Sequence, residues 1–191
     1  GPARAPQAVL PPPVASAQGT QIAPGVQGVP DNDPIGRIIG GGQARANSAI
    51  VGGGGETTAL PSDASPKQAY ETAYGHLLSQ DYSSAEAAFE EFLKRFPNDP
   101  LAGNAQYWLG ETFFVRGQFR PAAAAFLKGY QTYARSAKAP DSLLKLGLSL
   151  DRLGQKDAAC ASFGEIASKF PTAPGHIRQR ADGERRRLGC G

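Results

Sequence analysis

The chain has 191 residues, with 20 Lys+Arg against 17 Asp+Glu for a net charge of +3, and no run approaches the roughly 18 apolar residues needed to span a bilayer. Two cysteines and two histidines, far apart, exclude a zinc cluster and leave little from which to build a catalytic constellation. These averages hide a division: residues 1–64 contain no aromatic residue and no lysine, whereas residues 65–191 hold every aromatic and a net charge of +4.

In the first part, Pro11-Pro12-Pro13, Gly40-Gly41-Gly42 and Gly52 to Gly55 punctuate a stretch rich in Ala, Ser and Gln. Its apolar surface is too small to offset the entropy of ordering it, so residues 1–64 are expected to form a disordered Gly/Pro/Ala-rich linker. No Gly-Lys-Ser/Thr follows the glycines, which rules out a phosphate-binding loop. Ile35-Gly36-Arg37-Ile38-Ile39 is its one apolar cluster and reads as plain linker or as a short docking element. The sequence opens on Gly1-Pro2 with no signal sequence, and is expected to be a fragment of a longer precursor.

From Ser65 the apolar residues recur with a helical period. Ser65 is an N-cap with Pro66 at the first helical position, and the first helix is expected to run to about Ser79. After a turn at Gln80-Asp81, a second helix spans Ser83 to Arg95 with Ala85, Phe89 and Phe92 inward. It stops at Phe96-Pro97-Asn98-Asp99-Pro100, where the prolines cannot continue it. The motif Ala85-x3-Phe89 returns as Ala122-x3-Phe126 and Ala159-x3-Phe163, each 37 residues after the last. Trp108-Leu109-Gly110 and Leu146-Gly147 precede the second and third copies. A helical hairpin repeated at this interval resembles the tetratricopeptide repeat, whose units stack because no single hairpin buries its own apolar faces. The fold expected is all-α: three hairpins at about 65–97, 102–134 and 139–171, then a capping helix at about 174–188 with Ile177, Ala181 and Leu188 inward. Gly110 and Ala122 read as packing residues at a close helix crossing. His76 reads as a core substitute for the usual aromatic.

Cys160 falls on the last hairpin and Cys190 follows the cap that folds back over it, so a disulfide is geometrically reasonable and would require an oxidising compartment. The alternative is one buried small hydrophobe and one exposed thiol. The arginines at 178, 180, 185, 186 and 187 make a basic tip. With no aromatics interleaved, it reads as a solvated face rather than a nucleic-acid or lipid contact.

In a stacked array the first helix of each hairpin lines the concave side. Counting about 100° per residue gives a groove of Lys67, Tyr70, Tyr74, Leu77 and Leu78; Asn104, Tyr107, Glu111, Phe114 and Val115; Asp141, Leu144, Leu148, Asp151 and Arg152. Trp108 stands at its edge, as groove or as interhelix core. Glu111 and Asp141 stand where a carboxylate-binding clamp needs cations, which disfavours recognition of a partner's terminal carboxylate. An apolar groove suits an amphipathic helix or an extended segment.

Gln106-Tyr107-Trp108-Leu109-Gly110-Glu111, then Gly117-x-Phe119-x2-Ala122, with Phe-Pro closing the first and third units, resembles the C-terminal domain of the YbgF/CpoB family. The resemblance covers about residues 65–188. It implies a non-enzymatic periplasmic module of the Gram-negative envelope that associates with TolA of the Tol-Pal system and links outer-membrane constriction to septal peptidoglycan synthesis. A peptidoglycan synthase is a further partner it suggests. Full-length members trimerise through a coiled coil lacking here, so this stretch is expected to be monomeric, without cofactor, metal, nucleic acid or membrane insertion. The competing reading is a self-association scaffold in the envelope, and an enzyme is disfavoured.

Overall fold

A computed structural model describes residues 60–191; residues 1–59, including most of the expected linker and the Ile35–Ile39 cluster, lie outside the described residues. The described residues form α1 (Pro66–Leu78), α2 (Tyr82–Arg95), α3 (Ala102–Val115), α4 (Phe119–Thr132), α5 (Ala139–Arg152), α6 (Lys156–Lys169) and α7 (Gly175–Leu188). Each helix packs on the next, and the first helices of successive hairpins, α1, α3 and α5, also touch one another. Stacked hairpins of this kind bury faces that no single hairpin could cover.

Local chemistry sets the boundaries. The Ser65 side chain accepts from the Gln68 backbone N–H while the Gln68 side chain accepts from the Ser65 N–H, a reciprocal cap that starts α1. Asp81 accepts from the Ser84 N–H at 3.2 Å and starts α2 one residue earlier than the sequence pattern suggests. Between the two helices of each hairpin the backbone turns through a left-handed residue: Gln80 (φ 60°), Gly117 (φ 73°) and Gly154 (φ 75°), one repeat apart.

The core is built from both helices of each hairpin, with the phenylalanines coming from the second. Phe89, Phe92, Phe126 and Phe163 are buried, as are Leu143, Leu146, Leu150 and Ile166, and each fully buried side chain of this size contributes about 1.5–3 kcal/mol. These residues divide into a cluster around α1, α2 and the start of α3, and a larger one from α3 to α7. Trp108 and Phe113 pack against both and join them.

Both ends are sealed. At the start, Leu60 is buried in the first cluster, and the Arg95 guanidinium donates to the Pro61, Ser62 and Ala64 carbonyls at 2.9, 2.9 and 3.4 Å. Leu60 and the backbone of residues 61–64, which the sequence assigns to the linker, are thus part of the packing around α1 and α2. One leucine and three carbonyl contacts order a segment whose composition alone reads as linker. At the other end, α7 lays Ile177 and Ala181 on the core. Cys160 on α6 and Cys190 beyond α7 are brought to disulfide distance, with Cα atoms 5.6 Å apart. Glu184 of α7 is buried and held by Arg180 (2.9 Å) and Arg187 (2.6 Å), and Arg187 also pairs with Asp151 of α5.

Candidate protein-binding groove

The inner face of α1, α3 and α5 carries a row of rings. Tyr70 and Tyr74 stack with centroids 6.2 Å apart, Tyr74 meets Trp108 at 5.1 Å, and Trp108 meets Tyr107 at 5.0 Å. Helical spacing of four residues stacks the first pair, and lateral packing of α1 on α3 brings the second together. Core phenylalanines hold the row from behind: Tyr70 lies on Phe89 and Phe92, Tyr107 on Phe126. Phe114 makes a separate edge contact with Phe119 at 5.3 Å.

Within this row the positions differ in access. Tyr70, Tyr74, Trp108 and Phe114 are half-buried and keep part of each ring open. Tyr107 is only 7% exposed and Leu144 equally so; both belong to the larger core cluster. This corrects the expectation that they form open groove surface. The ring of Tyr107 is enclosed between Trp108, Phe126 and the segment entering α5, and burial, reinforced by the Glu111 and Asp141 carboxylates, pushes its hydroxyl far above the ordinary tyrosine range. Burial also raises Tyr70, against hydrogen bonds to Trp108 and Asn104 that act the other way.

Asn104, Leu77 and Leu148 are half-buried along the same face, while Leu78 and Val115, one repeat apart, are exposed at its edge. Lys67 lies outside, 3.9 Å from Glu71. Asp151 does not serve the groove: the capping helix takes it through Arg187. Arg152 is placed over Phe119, its guanidinium 5.4 Å from the ring centre.

The electrostatics also differ from the expected scatter of acids. Lys138 pairs with Asp141 at 3.5 Å and lies over Tyr107 and Trp108, 4.9 and 5.6 Å from the ring centres. Lys145 pairs with Glu111 at 2.8 Å and lies over Phe114 at 4.6 Å. Each carboxylate is therefore matched by a lysine whose ammonium also lies over an aromatic ring, a doubly favourable placement. Glu111 and Asp141, the two acids that the sequence places where a carboxylate clamp needs cations, are thus each paired with a lysine. Lys145 occupies the Trp108 position one repeat on, so the 37-residue interval contained the signal. Lys138 precedes α5 and had none. Among the described residues there is no group of three His, Cys, Asp or Glu positioned to hold a metal ion, and no helix is long and apolar enough to cross a membrane.

Such a face, lined by rings on the first helices of stacked hairpins, is that of a helical-repeat domain. Residues 70–137 and 141–173 each match a tetratricopeptide-repeat family model, and the chain belongs to that family of repeat proteins. Over 57 residues it is 40% identical to the cell division coordinator CpoB of Pseudomonas putida strain KT2440, and to the same extent to a second CpoB of Pseudomonas putida. The match takes in 30% of this chain and only 21% of each relative, about a fifth of its length. The domain is thus a tetratricopeptide-repeat domain similar to that of CpoB.

Proposed function

We propose that this domain is a non-enzymatic protein-binding module that seats a segment of an envelope protein on the aromatic face of α1, α3 and α5. The observation that carries this reading is the half-open row Tyr70, Tyr74 and Trp108, continued by Phe114 and bordered by the Lys138–Asp141 and Lys145–Glu111 pairs. Rings held from behind by the core lose little freedom on binding, which makes them efficient contact residues. The lysines swing aside or re-pair with charges on the ligand, so an amphipathic segment is accommodated at low cost.

The likeness to a cell division coordinator supports a role in division. With the resemblance to the YbgF/CpoB family, it points to TolA of the Tol-Pal system as partner, to the periplasm as location, and to coordination of outer-membrane constriction with septal peptidoglycan synthesis. The Cys160/Cys190 pairing is compatible with an oxidising compartment.

Trp108 is the single tryptophan, so titration with soluble TolA segments is followed directly by its emission. A saturable shift is expected, weakened at least about tenfold in Tyr74→Ala and Phe114→Ala variants that unfold as cooperatively as the wild type. Binding that leaves the emission unchanged and survives both substitutions removes the groove from the explanation.

A further inference from the structure

The back of the array, where the second helices lie side by side, differs from one repeat to the next. A cleft of about 490 Å³ opens between α2 and α4, with Leu109 and Phe113 of α3 as its floor. Glu90, Leu93 and Lys94 stand on its α2 wall and Lys128 on its α4 wall. On a helix turning about 100° per residue, Leu109 and Phe113 lie roughly 150° round from Tyr107, Glu111 and Phe114, so this cleft is distinct from the aromatic row.

The corresponding place one repeat later is closed by the protein's own side chains. Leu109 and Phe113 have Leu146 and Leu150 as counterparts 37 residues on, and those two are fully buried, whereas Leu109 keeps 7% exposure and Phe113 is half-buried. Across that later gap the Tyr130 hydroxyl of α4 donates to the Glu165 carboxylate of α6 at 2.7 Å, and the Tyr130 ring lies edge-on to Phe170. Leu93 and Lys128 hold the equivalent positions in the earlier gap. Leucine has neither the ring nor the hydroxyl for such a bridge, and lysine puts a cation where the carboxylate stands. The repeat therefore shows which groups close the gap, a ring and a carboxylate, and the α2–α4 cleft lacks both.

Charge narrows the chemistry further. Lys94 and Lys128 are exposed, stand on opposite walls near the C-terminal ends of α2 and α4, and neither enters an ion pair among the described residues. Against the single Glu90 they leave the walls with an excess of positive charge. Gln106 lines the same cleft where the later unit has Leu143. Its side-chain N–H donates to the Ala125 carbonyl at 3.0 Å, but its buried Oε1 has no hydrogen-bond partner, a costly state for an acceptor.

We propose that the α2–α4 cleft is a second docking site, for a segment of a partner protein that carries an aromatic side chain between two carboxylates. The ring packs on Leu93, Leu109 and Phe113, in the role that Tyr130 fills from within one repeat later. The carboxylates pair with Lys94 and Lys128, and a backbone N–H of the segment is a suitable donor for Gln106. A basic segment is repelled by both lysines, and an uncharged one leaves them unpaired. A partner could thus be held on the back of the array while the aromatic row is occupied.

The test titrates the full chain, isotopically labelled for amide NMR, with the tripeptide acetyl-Glu-Phe-Glu-amide up to about 10 mM, against an expected Kd near 1 mM, about −4 kcal/mol. Saturable shifts of amides in α2, α4 and the Leu109–Phe113 turn of α3 are expected. Acetyl-Glu-Ala-Glu-amide, which lacks the ring, should bind at least about tenfold more weakly. Lys94→Gln with Lys128→Gln, both at exposed positions, should weaken the parent tripeptide about fivefold without moving the thermal unfolding midpoint. Leu93→Tyr with Lys128→Glu builds the later repeat's own bridge into the cleft, and should abolish binding while keeping the unfolding midpoint at or above that of the wild type. Tyr74→Ala should leave this binding unchanged, which separates it from occupation of the aromatic row. No saturable shift, shifts centred on Tyr70, Tyr74 and Trp108, or equal binding of the alanine tripeptide would each overturn the proposal, as would unchanged binding in the double lysine variant.

Discussion

Gly110 leaves room for the Phe126 ring and for nothing more: a Cβ at Gly110 would lie 2.5 Å from the Phe126 ring edge, and the pair Gly147 and Phe163 repeats the relationship at 2.5 Å one unit later. Both rings are buried and have no free direction in which to retreat. Overpacking of this kind costs about 1–3 kcal/mol, against which alanine recovers up to about 1 kcal/mol of helix propensity. Gly110→Ala should therefore lower stability by about 1–2 kcal/mol, read as a shift in the urea midpoint at constant slope. Gly110→Ala combined with Phe126→Leu should be less unstable than the sum of the single changes. The first unit already carries Ala73 opposite Phe89, both fully buried, so the crossing there is set for the larger residue.

Gln80 sits at φ 60°, where the next two units place Gly117 and Gly154. A left-handed backbone costs a non-glycine residue about 1 kcal/mol, and glycine returns part of that as unfolded-state entropy. Gln80→Gly is expected to stabilise the domain by about 0.5 kcal/mol, whereas Gly117→Ala should destabilise it by about 1 kcal/mol. Thermal unfolding midpoints moving in opposite directions would be the confirming result.

Reduction should loosen the end of the array that α7 closes. Cys160 and Cys190 are separated by 30 residues, and a bridge over such a loop is worth about 3–4 kcal/mol in the chain-entropy picture. Dithiothreitol should lower the wild-type unfolding midpoint and increase amide exchange in α7. A Cys160→Ser, Cys190→Ser variant should start at the lower value and ignore the reductant.

The cap at Asp81 supplies a pH dependence. Hydrogen bonds from Ser84, chiefly from its side chain and then its backbone, hold the Asp81 carboxyl below the ordinary aspartate value of 3.8. A depressed folded pKa means that the unfolded state binds its proton first as pH falls. The stabilisation is complete above the unfolded value and disappears as pH drops through the folded one. Asp81→Asn keeps an acceptor but not the charge. Its deficit relative to wild type, measured by urea denaturation, should be present at neutral pH and vanish at the acid end.

The architecture was largely open to reading because its signals are local or periodic. Ser65 with Gln68 makes a cap within one turn, and Phe89, Phe126 and Phe163 mark the same core site in three units. The groove was less open. Angular position around α3 puts Tyr107 and Phe114 on one side of the helix, but whether a ring there is accessible depends on what the next hairpin lays over it. Lys138 and Lys145 reach those rings on long flexible stems, and Asp151 is drawn to Arg187 across a sequence distance of 36 residues.

Spacing along one polypeptide was enough to establish the stacked helical hairpins, their 37-residue register and the aromatic character of the inner face. Packing in three dimensions was needed to seal Tyr107, to neutralise the acids of the groove, to close the first unit with Leu60 and to open a cleft behind α3. Each of those depends on the distance between helices and on where long side groups from neighbouring turns come to rest, quantities that periodicity does not encode.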